Sequence, residues 1–370
     1  MATNMNIAII HDWLTGFAGA EKVLLELIKI YPEADIFTSV FDDRKIKQIP
    51  RDRVKVSYLQ KAPGSLGNRQ LLIPLMPRAF ENFDLSKYDL VISNTSSVGK
   101  GVITRPETPH ICYCHTPTRY LWESNLDPRA SGSFLKDRIS HQLRIWDRLA
   151  AMRPDYFIAN SKNIQQKIRK YYRRESEVVY PPVEVGRFKV ADKKDIKDYY
   201  LCSGRLIGYK RVDLAIAAFN DLKKPLFIIG NGPEEKRLRA IAGANIKFLG
   251  RVSDVEQAKY YREARAFIFP ANEDFGIVPL EALASGRPVV AFNAGGARET
   301  IIEGISGTFF SEQTPQCLID AVRNFNPDHY HSQRLRQRAM DFDQAIFRKN
   351  FKDTIDRLIV DFQKNGPPIK

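Results

Sequence analysis

Short apolar runs alternate with amphipathic stretches along almost the whole chain, and the alternation breaks at Val179-Tyr180-Pro181-Pro182-Val183. A chain with that pattern has few folding options. An apolar run followed by a helix-period stretch reads as a βα unit, and repeated βα units build a parallel sheet with helices on both faces. Consecutive prolines resist helix and interrupt sheet pairing, so the break is a linker. The expectation is an α/β protein of two doubly wound domains, residues 1–182 and 183–344, with residues 345–370 returning to the first. A length of 370 residues suits two cores better than one.

Before the linker, strands are expected at residues 6–10, 34–38, 90–93, 110–113 and 156–159, with helices over 20–30 and 134–152. After it, strands at 199–203, 226–229, 246–249, 266–269 and 288–292 alternate with helices at 211–220, 234–242, 254–263 and 277–285. A last helix over 345–362 places Ile346, Phe347, Phe351, Ile355, Leu358 and Ile359 at helical spacing, as a segment packing back toward the first domain requires.

Composition narrows the class. Hydrophobic residues make up 44% and charged residues 27%, the balance of a folded chain. No apolar run approaches the ~18–20 residues that span a bilayer. The start, MATNMNIAIIHDWL, lacks the basic segment, apolar core and small-residue site of a signal peptide, so the cytoplasm is the expected compartment. Cys112, Cys114, Cys202 and Cys317 show no metal-type spacing and are expected as buried thiols. The net charge of +14 calls for an anionic partner: nucleic acid, nucleotide or lipid headgroup. No recognisable nucleic-acid module with interleaved aromatics accompanies it, so no nucleic-acid partner is expected.

One acid stands inside an apolar stretch, Glu281 in IVPLEALA, with Glu273 upstream in EDFGIVPLE. Burying an ionised carboxylate without a partner costs several kcal/mol, so something polar must reach Glu281. A local arginine, Arg298 or Arg287, is one candidate, and a ligand hydroxyl is the other. Phe275-Gly276 lets the chain turn into a helix whose first N–H groups face any nearby anion. Phosphate donors and hydroxyl acceptors thus share one segment, the combination a sugar nucleotide requires.

Open α/β sheets bind ligands beyond the carboxyl ends of their strands. The loops there include TGFAGAEKV (residues 15–23), with Gly16 and Gly19 ahead of a helix, and CSGRLIGYKRVD (202–213), with Arg205 and Lys210 flanking a glycine loop. Two such cations suit a diphosphate, Arg as a fork and Lys as a point charge, although surface salt bridging uses the same residues. IIGNGPEEKRL (228–238) contributes a turn at Gly230 and Asn231. Asp42-Asp43 falls in a connecting stretch where solvation explains it better than Mg²⁺ held between phosphates, so neither metal nor other cofactor is expected.

GRLIGYKR, GNGPE, LGRVSD, EDFGIVPLEALASGRPVVA and NAGGARE occur in that order, and in them the chain resembles the retaining glycosyltransferases of family 4. The resemblance is strong over residues 199–310 and continues more weakly before them, including HTPTRYLWE (115–123) and IANSKNIQQKIRKYY. It implies the GT-B fold, two Rossmann-like domains facing across a cleft, with the donor mainly on the second and the acceptor on the first. HTPTRYLWE looks most like bacterial mannosyltransferases that build O-antigen and exopolysaccharide repeat units. The family implies that Arg205 and Lys210 hold the diphosphate, that Glu281 accepts from ribose hydroxyls, and that Glu273 with the backbone of Phe275, Gly276, Ile277 and Val278 holds the hexose. Backbone near Arg251 and Val252 would read a guanine or a uracil, and Gly16 and Gly19 would close on the phosphates. His115 would meet the transferred sugar or the attacking hydroxyl, with Trp13, Tyr120 and Trp122 on the acceptor side.

The expected reaction moves a hexose, mannose from GDP-mannose, with retention and with the departing phosphate taking the acceptor's proton. Cations aimed at a diphosphate that gains charge bind the transition state more tightly than the substrate. A UDP-sugar donor, an epimerase, and a non-catalytic nucleotide-sugar-binding subunit of a membrane assembly are the alternatives. A phosphorylase would ask for a lysine-bound pyridoxal cofactor that nothing announces. In RQLLIPLMPRAFENF, Leu71, Leu72, Ile73, Leu75, Met76, Phe80 and Phe83 stand beside Arg69 and Arg78. That mixture suits either a core segment or a bilayer interface. Nearby Lys45, Lys47, Arg51, Arg53, Lys55 and Lys61, and the run 167–174, favour the interface. The expected partners are therefore a nucleotide sugar, a polyprenyl-diphosphate-linked saccharide and the anionic cytoplasmic face of the membrane.

Overall fold

The computed structural model describes residues 5–67, 69–123 and 134–368. They form two compact units, Met1–Pro182 with Phe347–Lys370, and Val183–Ile346.

The first unit is built on seven strands: β1 (Ile7–His11), β2 (Asp35–Thr38), β3 (Val54–Val56), β4 (Leu90–Thr95), β5 (His110–Cys114), β6 (Tyr156–Ala159) and β7 (Glu177–Val178). Their order is β3-β2-β1-β4-β5-β6-β7, all parallel. β4 and β5 are buried along their whole length, as strands covered on both faces must be. The Gly19–Ile30 helix buries Val23, Leu24 and Leu27 against one face. The Gln344–Asn365 helix buries Phe347, Phe351, Ile355, Leu358 and Ile359 in the same cluster, with Phe347 and Phe351 edge-on to Tyr113. The apolar spacing of the last helix thus serves the core of the first unit.

The second unit holds six parallel strands: β8 (Tyr200–Ser203), β9 (Leu226–Ile229), β10 (Ile246–Gly250), β11 (Ala266–Phe269), β12 (Val289–Phe292) and β13 (Gly307–Phe310). The order is β10-β9-β8-β11-β12-β13. The chain builds outward from β8 to β10, then returns to β8's other side with β11. This reversal opens a crevice beyond the strand ends between β8 and β11, and in the first unit the same reversal falls between β1 and β4.

β3, β7 and β13 are additions to the expected strands, as are the Pro315–Asn324 and Ser332–Met340 helices. β3 and β7 have no buried residue, so they lack the apolar run that marks an interior strand. Among the described residues no helix is long and apolar enough to cross a membrane.

The stretch around residues 69–83 divides. Leu72, Met76 and Phe80 are core, and Ile73 and Phe83 pack against them. Leu71 and Leu75 are 73% and 51% exposed. The Arg69 side chain lies outside what is described. Of the basic residues nearby, Lys45 pairs with Asp42, Arg51 with Asp43 and Lys55 with Asp35, and Arg53 donates to Ala34 O. The run 167–174 divides in the same way, with Arg169, Lys170 and Arg173 exposed and the rest serving the fold. Ile168 and Tyr172 are core, Lys167 pairs with Glu123, and buried Arg174 donates to the carbonyls of Ala151, Pro154 and Asp155.

Candidate functional site

In the second unit the expected donor residues gather beyond the strand ends. The Gly204–Arg211 loop follows β8 and the Asn272–Gly276 loop follows β11, so they flank the crevice. Lys210 forms an ion pair with Glu273 there. Arg205, on the same loop as Lys210, is exposed, and its guanidinium makes no hydrogen bond or ion pair among the described residues. A fixed cation and an exposed one therefore lie on this loop beside the crevice.

Glycine makes this packing possible. Gly230, with φ +127°, ends β9 so close to the β8 loop that a Cβ would stand 1.9 Å from Gly204 O. Only a residue without a side chain fits, and the Leu206 N–H then donates to Asn231 O at 2.9 Å. Gly276, at φ +84°, caps the Ile277–Ala284 helix and aims its first turn at the crevice. The Phe275 ring turns inward against Phe342, which leaves its backbone at the site. The Gly296 N–H fixes the segment by donating to Glu273 O at 2.8 Å. Ile277 and Val278 are half-buried, and Arg251, following Gly250, is exposed.

Glu281 is 5% exposed, as its apolar neighbours in the sequence require. Neither expected arginine holds it: Arg287 donates to Ser332 Oγ at 2.6 Å and Arg298 to Asn293 Oδ1 at 2.8 Å. The cation facing it is Arg187, whose Nη2 lies 3.5 Å from Glu281 Oε1. That distance is at the outer limit of a hydrogen bond. Arg187 makes its short contacts elsewhere, to Asp254 Oδ1 at 2.9 Å and Gln257 Oε1 at 2.8 Å. Sequence reasoning missed Arg187 because it sits alone in a 3-10 turn after the linker, outside any periodic pattern. Burial, and then the Glu281 carboxylate, push the Tyr261 phenol well above its usual range, which puts Tyr261 beside the same acid.

The first unit gathers polar residues at its own reversal. Asp12, just past β1, accepts from Thr95 Oγ1 at 2.6 Å, Ser96 N at 2.7 Å and Gly99 N at 2.8 Å, which fixes the loop after β4. His115, just past β5, hydrogen-bonds through Nε2 to Asn94 Oδ1 at 2.6 Å. As the amide oxygen can only accept, Nε2 carries the proton and Nδ1 keeps its lone pair. Burial, reinforced by His11, lowers the pKa of His115 to about 4, so the ring is neutral near pH 7. Gly16 is exposed with open space around it, and Gly19 opens its helix, where Glu21 accepts from Ala18 N at 2.8 Å.

The three aromatic residues expected at an acceptor differ in their surroundings. Trp13 is half-buried against the core, and Tyr120 shares a hydrogen bond with Ser97 Oγ at 2.8 Å. Trp122 donates from Nε1 to Asp147 Oδ2 at 2.7 Å and stacks on Tyr171. Trp122 therefore also anchors its own loop, and it is half-buried. Beneath that loop Lys100 pairs with Asp147 at 2.5 Å, and neither residue announced itself in the sequence. Among the described residues no three His, Cys, Asp or Glu side chains come together as a metal site would need.

Comparison with known proteins converges on one family. Residues 187–342 match the family described as glycosyl transferases group 1, and residues 17–187 match glycosyltransferase family 4. The chain is 25% identical to the α-1,3/1,6-mannosyltransferase ALG2 of Kluyveromyces lactis, over 95% of this chain and 85% of that one. Among solved structures, sucrose-phosphate synthase of Thermosynechococcus elongatus superposes with a TM-score of 0.76 at 17% identity, covering 96% of this chain and 100% of that one. Anabaena HepE in complex with UDP and glucose gives 0.68 at 20% identity, covering 95% and 100%. The two domain matches meet at Arg187, and the parallel-sheet unit on each side of it is what they require: the chain belongs to glycosyltransferase family 4, has the GT-B fold, and is a glycosyltransferase.

Proposed function

We propose that this enzyme transfers mannose from GDP-mannose, with retention and without a metal, to a lipid-linked saccharide at an anionic membrane surface in the cytoplasm. The observation that carries the donor half is the Lys210–Glu273 pair at the β8/β11 reversal, with Arg205 exposed on the same loop. In this reading the bond from the sugar's anomeric carbon to the diphosphate oxygen breaks, and an acceptor hydroxyl bonds to that carbon on the same face. Its proton passes to the departing phosphate. Arg205 and Lys210 meet the charge that develops on the diphosphate, and fixed charges aimed at such a group do more to lower the barrier than any other contact in the site. Glu273 orients hexose hydroxyls, Glu281 accepts from the ribose diol, and Gly16 and Gly19 offer backbone N–H groups to the phosphates.

Mannose is favoured by the likeness to ALG2, whose name is that of a mannosyltransferase. A UDP-sugar is the second reading, favoured by the common fold with HepE, which was solved with UDP and glucose. A thermal-shift panel with GDP, UDP and ADP separates them, because a ligand at a hundred times its Kd adds about 2.7 kcal/mol of stability. GDP is expected to raise Tm by several degrees, and Glu281→Ala to reduce that rise. A rise with UDP and none with GDP would overturn the mannose assignment. Mannose transfer that continues in EDTA supports the metal-free route, whereas binding without turnover marks a non-catalytic subunit.

The membrane half rests on Leu71 and Leu75, exposed beside Tyr58, with Lys61 and Arg78 on the adjoining turns and unpaired among the described residues. Each basic residue near an anionic surface adds about 1 kcal/mol, and the two leucines supply the apolar anchor. The protein is expected to sediment with phosphatidylglycerol vesicles at low salt, and Leu71→Ser/Leu75→Ser to remain in the supernatant. Equal sedimentation of the two proteins would remove this face from the membrane.

A further inference from the structure

We infer that Arg187 is a positioning residue for the donor nucleotide, holding Glu281 aligned for the ribose diol. The inference rests on the reading of Glu281 as the ribose acceptor, and it assigns the cation that keeps that acid in place.

A buried carboxylate needs a polar or charged neighbour to fix it in place. Among the described residues Arg187 is the cation within ion-pair distance of Glu281. At 3.5 Å its contribution is electrostatic more than a hydrogen bond of ordinary length.

The arginine itself is held on every side. Its side chain is 16% exposed and its guanidinium lies 4.6 Å from the centre of the Phe188 ring. Nη1 and Nη2 grip Asp254 and Gln257 in the first turns of the Asp254–Glu263 helix, which starts directly after Arg251 and Val252. Arg336 fixes the Arg187 turn from behind, donating to Phe188 O at 2.6 Å, and to Ala284 O at 2.8 Å in the helix that carries Glu281. One guanidinium thus connects the base-reading loop to the ribose acid, so that the two contacts are set together. A lysine could neutralise Glu281 but could not bridge to Asp254 and Gln257 in the same geometry.

The test separates alignment of Glu281 from a plain structural tie by asking which part of the ligand feels the change. Dissociation constants are measured by calorimetry for GDP and UDP, each against its 2′-deoxy form, with wild type, Arg187→Met and Arg187→Lys. A hydrogen bond to a charged acceptor predicts at least about tenfold preference of wild type for the ribo form. Arg187→Met is expected to reduce that preference to less than threefold, and Arg187→Lys to recover part of it. If Arg187→Met weakens both forms equally and keeps the tenfold ratio, Arg187 is only a tie and the inference is overturned, while the ribose role of Glu281 stands. If wild type itself shows no preference for the ribo form, the reading of Glu281 fails and this inference falls with it. Should Arg187→Met not fold, the same ratios with Arg187→Lys and Arg187→Gln decide the question, a retained tenfold ratio in Arg187→Gln overturning it.

Discussion

Lys100→Met is expected to destabilise the first unit by about 3–5 kcal/mol, read as a lower urea midpoint. The lysine is 2% exposed and its partner Asp147 is fully buried, so water cannot take over from the lost cation. Lys100 also donates to Thr118 Oγ1 and lies over the Tyr172 ring. Removing it leaves Asp147 charged, with three neutral donors: Thr118 Oγ1 at 2.6 Å, Trp122 Nε1 at 2.7 Å and Tyr172 OH at 2.9 Å. Trp122 Nε1 and Tyr172 OH share Oδ2, where an amide oxygen can replace the carboxylate, and the Thr118 hydroxyl on Oδ1 can accept as well as donate, which provides the control. In Lys100→Met/Asp147→Asn the amide oxygen can still accept while the buried charge is gone, so the double variant is expected to recover more than half of the loss. If the double variant is no more stable than Lys100→Met, the penalty comes from packing around the missing side chain and the buried charge is not its source.

This pair also shows where the sequence was readable. The βα alternation predicted the interior strands because a strand covered on both faces carries a buried apolar run, and β1, β4, β5, β8 and β11 each carry one. Edge strands lack that requirement, and β3 and β7 left no comparable signal. The donor loops were legible for a related reason. Gly230 and Gly276 are demanded by backbone geometry, and cations beside such turns identify themselves. Arg187, Asp12, Lys100 and Asp147 were not legible, because each acquires its role from a partner distant in sequence: Glu281, Thr95 with Gly99, and for the last two, one another. Trp122 is a related case. An aromatic side chain in a site-like motif looks the same with or without an internal aspartate beside it, and only the coordinates supply Asp147.

Arg205→Ala is expected to reduce kcat by about 10²–10³-fold while leaving the fold unchanged, and the same reasoning makes it a cleaner probe than Lys210. Lys210 is paired with Glu273, so its removal would disturb the acid expected to hold the hexose as well as the phosphate. Arg205 is exposed and its guanidinium bonds to none of the described residues, so truncating it strands no partner among them. Surface substitutions of that kind usually change stability by no more than about 0.5 kcal/mol. Its worth lies in the charge that appears on the diphosphate as the glycosidic bond breaks, and one such electrostatic contact is typically worth about 3–4 kcal/mol in the transition state. If the contact forms mainly there, kcat and kcat/KM fall together with little change in donor KM. A raised KM with unchanged kcat would mean that Arg205 binds the ground-state diphosphate equally well, and would assign charge stabilisation to Lys210 and the Gly276 helix start. Wild-type values of both constants would remove Arg205 from the phosphate site altogether. The three outcomes separate because truncating an exposed side chain leaves little structural change to confuse with a chemical one.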